Sequence, residues 1–239
     1  MNNQMAFLAN IRTALDESPD LERTKSSFPN LFSSPDPAAL LKTIRGRSSA
    51  ELDRLVDTFL DYGNSLNINS HVATSLEQAG AIVVDLIRSK EPEFSHTKHV
   101  VMHDHPDIAA LQLWNRFTRE AVTLHTSFSS DSQLREKTIA SFIGITAPNI
   151  GVADSATLVQ LTEPGRPRST SLLPSIHIAL LRRENLVANL AEAYALLRQK
   201  SRLDSLVFIS GPSKTADIEA HMVHGAHGPR ELQLIVLAE

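Results

Sequence analysis

Leu206-Val207-Phe208-Ile209-Ser210-Gly211-Pro212-Ser213-Lys214-Thr215-Ala216-Asp217-Ile218-Glu219 is the stretch on which the reading of the fold turns. Four apolar residues in a row, closed by Gly211 and Pro212, read as a short buried strand ending in a turn. Beyond the turn, Ser213 or Thr215 can cap a helix over about residues 215–223. Asp217 and Glu219 would suit its first turn electrostatically. Strand, glycine turn and helix in succession form the unit from which parallel sheets are built.

The same alternation runs through the preceding sequence. Strands are predicted over 67–72, 99–102, 121–125 and 142–146, and helices over 76–87, 108–117 and 133–140. This predicts an α/β protein: a three-layer, open, mostly parallel sheet with helices on its faces. After residue 148 the rhythm changes. Two short strand-like runs, 150–153 and 157–161, are followed by a loop over 162–174. A strand over 176–180 comes next, then a helix over 190–199 capped by Asn189 with Glu192 three residues on, and a last strand over 231–237. Upstream, Ser48 and Glu51 have the spacing of a capping box. The helix they open carries Leu52, Leu55, Val56, Phe59 and Leu60 on one face. Phe7, Leu8, Ile11, Ala14 and Leu15 mark an N-terminal helix. Residues 17–47, rich in Ser, Pro and charge, read as an exposed linker. The expected division is therefore an N-terminal helix and linker over 1–47 and an α/β domain over 48–239.

Composition narrows the function. The 239 residues carry 23 Lys+Arg against 27 Asp+Glu, a formal net charge of −4, and no cysteine. A chain without cysteine builds no disulfide framework, thiol nucleophile or Cys-ligated iron–sulfur cluster of its own. A slightly acidic balance gives no electrostatic reason to bind nucleic acid. No apolar run approaches the roughly 18 residues of a membrane span. The first residues, MNNQMAFLANIRTALDESPD, lack a charged segment followed by an apolar one, so no secretory signal is read there and a cytoplasmic location is expected.

Glycine is scarce, yet Gly144, Gly151, Gly165, Gly211, Gly225 and Gly228 all fall after residue 140. The special backbone geometry is thus concentrated toward the C-terminus, and candidate sites are sought there. A helix N-terminus after a parallel strand attracts anions, and Lys214 would add to it. The same residues also serve a capped structural turn. His221, His224 and His227 are spaced by three, but Gly225 and Gly228-Pro229 interrupt any shared helix face, and no metal is expected. His96, His99, His103, Asp104, His105 and Asp107 form another cluster. His103-Asp104-His105 ends a strand, a position that often faces ligands in open sheets, while Asp107 after Pro106 also reads as a plain helix start.

Three blocks carry a family resemblance: GITAPNIGVADSATL at 144–158, SLLPSIHIALL at 171–181 and FISGPSKTADIEAHMVHGAHGPRELQLIVL at 208–237. In order and spacing, residues 48–239 resemble the LUD-domain family in its lactate utilisation protein C branch. The resemblance implies a fold similar to that of sugar-phosphate isomerases and deaminases and of CoA transferases. It also implies a role in bacterial conversion of L-lactate to pyruvate beside iron–sulfur partner proteins, with the cofactor unknown and no catalytic mechanism attached. Carried over by position, it gives Asp154 and His177 as candidate catalytic residues. The candidate ligand-binding residues are Ser155, Thr157, Ser210, Gly211, Ser213, Lys214, Thr215, His227 and Arg230, around a small anion or cofactor. Ala156 stands where the family pattern has glycine, which puts a positive φ there in doubt. His177 in an apolar strand also reads as a core histidine. A parallel sheet gathers strand ends on one edge, so Asp154, His177, Lys214 and His227 are expected to converge. Two other readings stay open. One is an independent enzyme like a CoA transferase or sugar-phosphate isomerase, with Asp154 as base or nucleophile. The other is a non-catalytic scaffold subunit; an oligomer is compatible with each.

Overall fold

Alternation of apolar strands with capped helices yields the expected parallel sheet, described here by a computed structural model. It describes residues 3–14, 35–92, 97–118, 120–200, 204–216, 222–224 and 227–238. Residues 1–36 form one unit and residues 37–239 another. The described part of the first is helix α1 (Asn3–Ala14), on which Met5, Phe7, Leu8 and Ile11 are exposed.

The second unit runs α2 (Pro37–Arg45), α3 (Ser49–Ser65), β1 (Ile68–Ala73), α4 (Leu76–Ser89), β2 (Lys98–Met102), α5 (Pro106–Ala110), α6 (Leu113–Arg116), β3 (Val122–His125), α7 (Asp131–Ala140), β4 (Ile143–Thr146), β5 (Ile150–Val152), β6 (Thr157–Leu161), α8 (Ser169–Leu172), β7 (Ile176–Arg182), β8 (Leu186–Val187), α9 (Leu190–Leu197), β9 (Leu206–Ile209), β10 (Lys214–Ala216), β11 (Met222–His224) and β12 (Glu231–Leu237). Six strands form a parallel sheet in the order β1-β12-β7-β4-β2-β3. Its two faces follow from strand periodicity. Ile143, Ile145, Ile176, Ile178, Ile235 and Leu237 point into one core with Val83, Ile87, Ile108 and Leu113 of the helices α4, α5 and α6. Ala179, Leu181, Leu232, Leu234 and Val236 point the other way.

That other face is covered by a second sheet. The short runs after residue 148 join β9 in a four-stranded sheet, order β8-β5-β6-β9, in which β6 pairs antiparallel with both β5 and β9. Leu158 and Leu186 of this sheet, with Val56 and Phe59 of α3, complete the inner apolar layer. Its outer face packs Ile150, Val152, Val159 and Leu161 against Ala193 and Leu197 of α9 and Ile44 of α2.

Several sequence expectations change here. The strand at Leu206–Ile209 belongs to the four-stranded sheet, where it pairs antiparallel with β6, and not to the parallel one. The helix expected over 215–223 is not formed at its described ends. Instead, β10 and β11 pair antiparallel, Lys214 opposite His224; Asp217, Glu219 and His221 lie outside the described residues. Three residues cannot both start a helix and extend a ladder, and the ladder wins. The helix expected over 108–117 divides at Gln112, whose φ of 50° no α-helix accommodates. The stretch expected as linker through residue 47 ends in the packed helix α2. Beyond it, Arg47 reaches Glu192 with two 2.6 Å contacts, and only 8% and 6% of the two side chains are exposed. Ser48 and Glu51 form the expected reciprocal cap on α3, and Asn189 caps α9.

Removing one partner of a buried pair leaves the other charge uncompensated, at a cost of about 3–5 kcal/mol. Arg47→Ala is therefore expected to lower the unfolding free energy of the chain by that amount in urea titration. A loss below about 1 kcal/mol, the range of an exposed pair, would place the Arg47 guanidinium in solvent.

Candidate functional site

The carried-over residues divide between two places. Around the end of α3, Thr157 Oγ1 lies 2.7 Å from Ser210 Oγ and 3.0 Å from Ser155 Oγ. Gly211 follows with φ 95°, and a Cβ there would sit 3.0 Å from the Leu66 carbonyl oxygen. Lys214 Nζ donates to that same carbonyl at 3.2 Å. Leu66 is the C-cap of α3, so the ammonium meets the negative end of a helix, a capping role. The anion site was expected at a helix N-terminus; the described backbone offers Lys214 a helix C-terminus instead. Ser213 N–H donates to the Pro229 carbonyl at 2.7 Å, and Arg230 N–H to the Ser175 carbonyl at 2.9 Å. Leu66, Ser175 and Arg230 precede β1, β7 and β12, which places this group at the amino edge of the parallel sheet. Asp154 is exposed in the turn between β5 and β6, its N–H bonded to the Ala188 carbonyl at 3.1 Å. His227 is exposed, and the side chain of Thr215 lies outside the described residues. Ala156 does adopt the left-handed conformation, φ 44°, fully buried. A positive φ is thus held here by alanine, without glycine.

His177 lies elsewhere, in the layer between the two sheets. Its Nε2 shares a 2.7 Å hydrogen bond with Thr146 Oγ1 of β4. Thr146 neighbours His103, which follows β2 and whose N–H bonds to the Ile145 carbonyl at 3.0 Å. His103 Nε2–H donates to the Pro167 carbonyl at 3.3 Å, and the Gln160 amide nitrogen of β6 lies 3.4 Å from the same ring atom. His103, Gln160 and His177 are each 1% exposed. His103 Nδ1, Gln160 Oε1, His177 Nδ1 and Thr170 Oγ1 are buried without a hydrogen-bond partner. Sequence reading singled out His103 and His177 but not Gln160. Its signal was a lone amide in the strand 157–161, facing the same way as Leu158.

Where β2 and β3 end, a cleft of about 520 Å³ opens at the carboxyl edge of the sheet, lined by Asp104, Thr126, Ser129, Ser130, Glu163 and Pro167 among others. Ser130 caps α7 there. Nearby, Arg182 grips Asp107 through 2.7 and 2.8 Å bonds. Those bonds hold the Asp107 carboxyl below its ordinary range. His105 accepts from the Asp107 N–H at 3.1 Å and is depressed by burial and by Arg166. His99 bonds instead to His125 at 3.1 Å, and His96 lies outside the described residues.

Set beside known proteins, the LUD domain matches residues 56–237, and the chain belongs to the LUD-domain family. It is similar to lactate utilization protein C of Shouchella clausii, 37% identical over 144 residues, 59% of this chain and 62% of that protein. With lactate utilization protein C of Exiguobacterium it shares 39% identity over 108 residues, 43% of this chain and 47% of that one. The protein of that name in Halalkalibacterium halodurans is 36% identical over 149 residues, 59% and 64% of the two chains. The chain thus spans less than two thirds of the length of these relatives. A solved structure, a DUF162 family protein from Deinococcus radiodurans, is 21% identical with a TM-score of 0.49, covering 80% of this chain and 99% of that one.

Burial lowers the pKa of His103 to about 4 and that of His177 to about 3. The unfolded chain protonates both near pH 6.5, so the folded state resists a proton that the unfolded state accepts. The resulting stability is fully present above about pH 6.5 and is lost as pH falls through the folded values. Each histidine contributes a slope of about 1.4 kcal/mol per pH unit in that window. Urea unfolding between about pH 6.5 and about pH 4.5 is expected to show this fall, made shallower by roughly one histidine's slope in His177→Phe. Identical slopes in the two proteins would mean that His177 takes up its proton in the folded state.

Proposed function

We propose that this protein acts in the cytoplasm in the oxidation of L-lactate to pyruvate, as the member of the system that carries no iron–sulfur cluster. The carrying observation is its membership of the LUD-domain family together with relatives named lactate utilization protein C. The absence of cysteine from its 239 residues gives the division of labour. Thiolates are the usual ligands of such clusters, so electrons pass through partner proteins and this chain contributes a binding site, a docking surface or both. Among the described residues no helix is long and apolar enough to cross a membrane.

The test is recovery of the tagged chain from cells growing on L-lactate. Co-purification of cysteine-rich proteins with iron–sulfur absorbance is expected, as is loss of growth on L-lactate when the gene is deleted. A chain recovered alone, and normal growth of a deletion strain that has no second lactate oxidase, would contradict the proposal.

A further inference from the structure

The inner face of the parallel sheet is apolar at Ala179, Leu181, Leu232, Leu234 and Val236 but carries a polar patch beside them. His103, Thr146 and His177 stand there on three neighbouring strands, and Gln160 of the opposing sheet faces them. With the proton on His103 Nε2, the Gln160 amide oxygen can turn to accept from it, while His103 Nδ1, His177 Nδ1 and Thr170 Oγ1 have no partner within the described residues. Each such atom costs about 1–3 kcal/mol if left unpaired in the interior. A fold that meant only to fill the layer would place Leu or Val at these positions, as it does at Leu158 and Leu181. The patch is thus a place where a polar group would be matched.

Its chemistry defines that group. His103 gives its Nε2–H to a carbonyl, which can only accept, so Nδ1 presents a free lone pair. The two imidazoles are neutral, and the amide and hydroxyls carry no charge. Arg166 is a cation whose charge is felt at His103 and whose guanidinium is held by Glu163 at 2.9 Å and by the Asp104 carbonyl at 3.4 Å. A hydroxyl, which can donate to the His103 Nδ1 lone pair, would be matched inside the patch, and a carboxylate only on the Arg166 side.

The patch lies directly beneath the carboxyl-edge cleft. Segment 162–174 separates them: Thr162, Glu163, Gly165 and Pro167 line the cleft, while the Pro167 carbonyl bonds to His103 on the other side. Gly144 lets this segment sit down on β4, since a Cβ there would lie 1.8 Å from the Thr170 carbonyl oxygen. At the strand end the segment is held by the Asp104 N–H on the Gly165 carbonyl at 3.0 Å. Thr162 is anchored to Ser205, and Thr170 and Ser171 of α8 are buried, so only the turn 163–167 between them is free to move. Its ties to the strand end are the Asp104–Gly165, Arg166–Asp104 and His103–Pro167 bonds, and its displacement would open the patch to the cleft.

We propose that His103, Gln160 and His177 form a binding site for the hydroxyl end of a small 2-hydroxy acid, reached from the cleft when the turn 163–167 lifts. The choice of lactate and pyruvate as probes rests on the proposed pathway role; the site itself rests on the unpartnered atoms. The experiment follows the imidazole ¹⁵N resonances of the full chain during titration with L-lactate, pyruvate and two uncharged analogues, lactamide and propane-1,2-diol. Selective shifts of the His103 and His177 Nδ1 signals are expected from the hydroxyl-bearing probes, with at least tenfold weaker binding in Gln160→Leu. A response to the uncharged analogues alone supports the site and removes lactate from it, leaving the pathway role to the growth test. No response of either ring to any hydroxyl-bearing probe in the wild-type chain overturns the proposal, whatever the variant does.

Discussion

A parallel sheet cannot leave either face in water, because its crossover connections and its strand sequences make both faces apolar. That constraint organises this molecule. One face is covered in the familiar way, by α4, α5 and α6. The other is covered by a four-stranded sheet that the chain assembles from short strands inserted on either side of β7. The layer between the sheets is consequently thin, built by side chains alternating inward from both, and closed at the side by α3. Whatever is polar in that layer has been excluded from water by the same packing that stabilises the fold.

The polar patch is the departure from this plan. His103 and His177 are held neutral by burial, and each offers a ring atom that nothing in the described chain satisfies. The patch sits toward the carboxyl edge of β2 and β4, where open α/β sheets place their ligands. By contrast, Ser213, Lys214 and Arg230 gather where strands begin. There Lys214 caps α3, Gly211 gives the close approach to Leu66, and Ser213 ties two loops together. These residues hold the second sheet and residues 210–214 and 228–230 against the amino edge. A sequence pattern can be specific for a family and still be structural.

Much of the architecture was legible in the sequence. The capping residues Ser48 and Asn189 act through side-chain oxygens on the third residue beyond, a local interaction that needs no tertiary context. The apolar runs at β2, β4 and β12 read as buried strands for the same reason. The reading failed where partner choice was needed. Nothing local distinguishes a strand at 206–209 that joins a parallel sheet from one that pairs with β6. Placing it wrongly made the following turn look like a helix start. Gln112 carries no glycine-like signal for its positive φ, so the helix break there was invisible. At the site, the histidines were visible as residue types, but their common layer was not. It depends on register across β2, β4 and β7, and on Gln160 arriving from the other sheet.

The measurement that bears most directly on this account is a high-resolution crystal structure of the full chain grown with L-lactate. Ligand density between the His103 and His177 rings, its hydroxyl hydrogen-bonded to at least one Nδ1, with the turn 163–167 closed over it, is the predicted result. A layer that holds no ligand there, with both rings satisfied by protein groups alone, would contradict it.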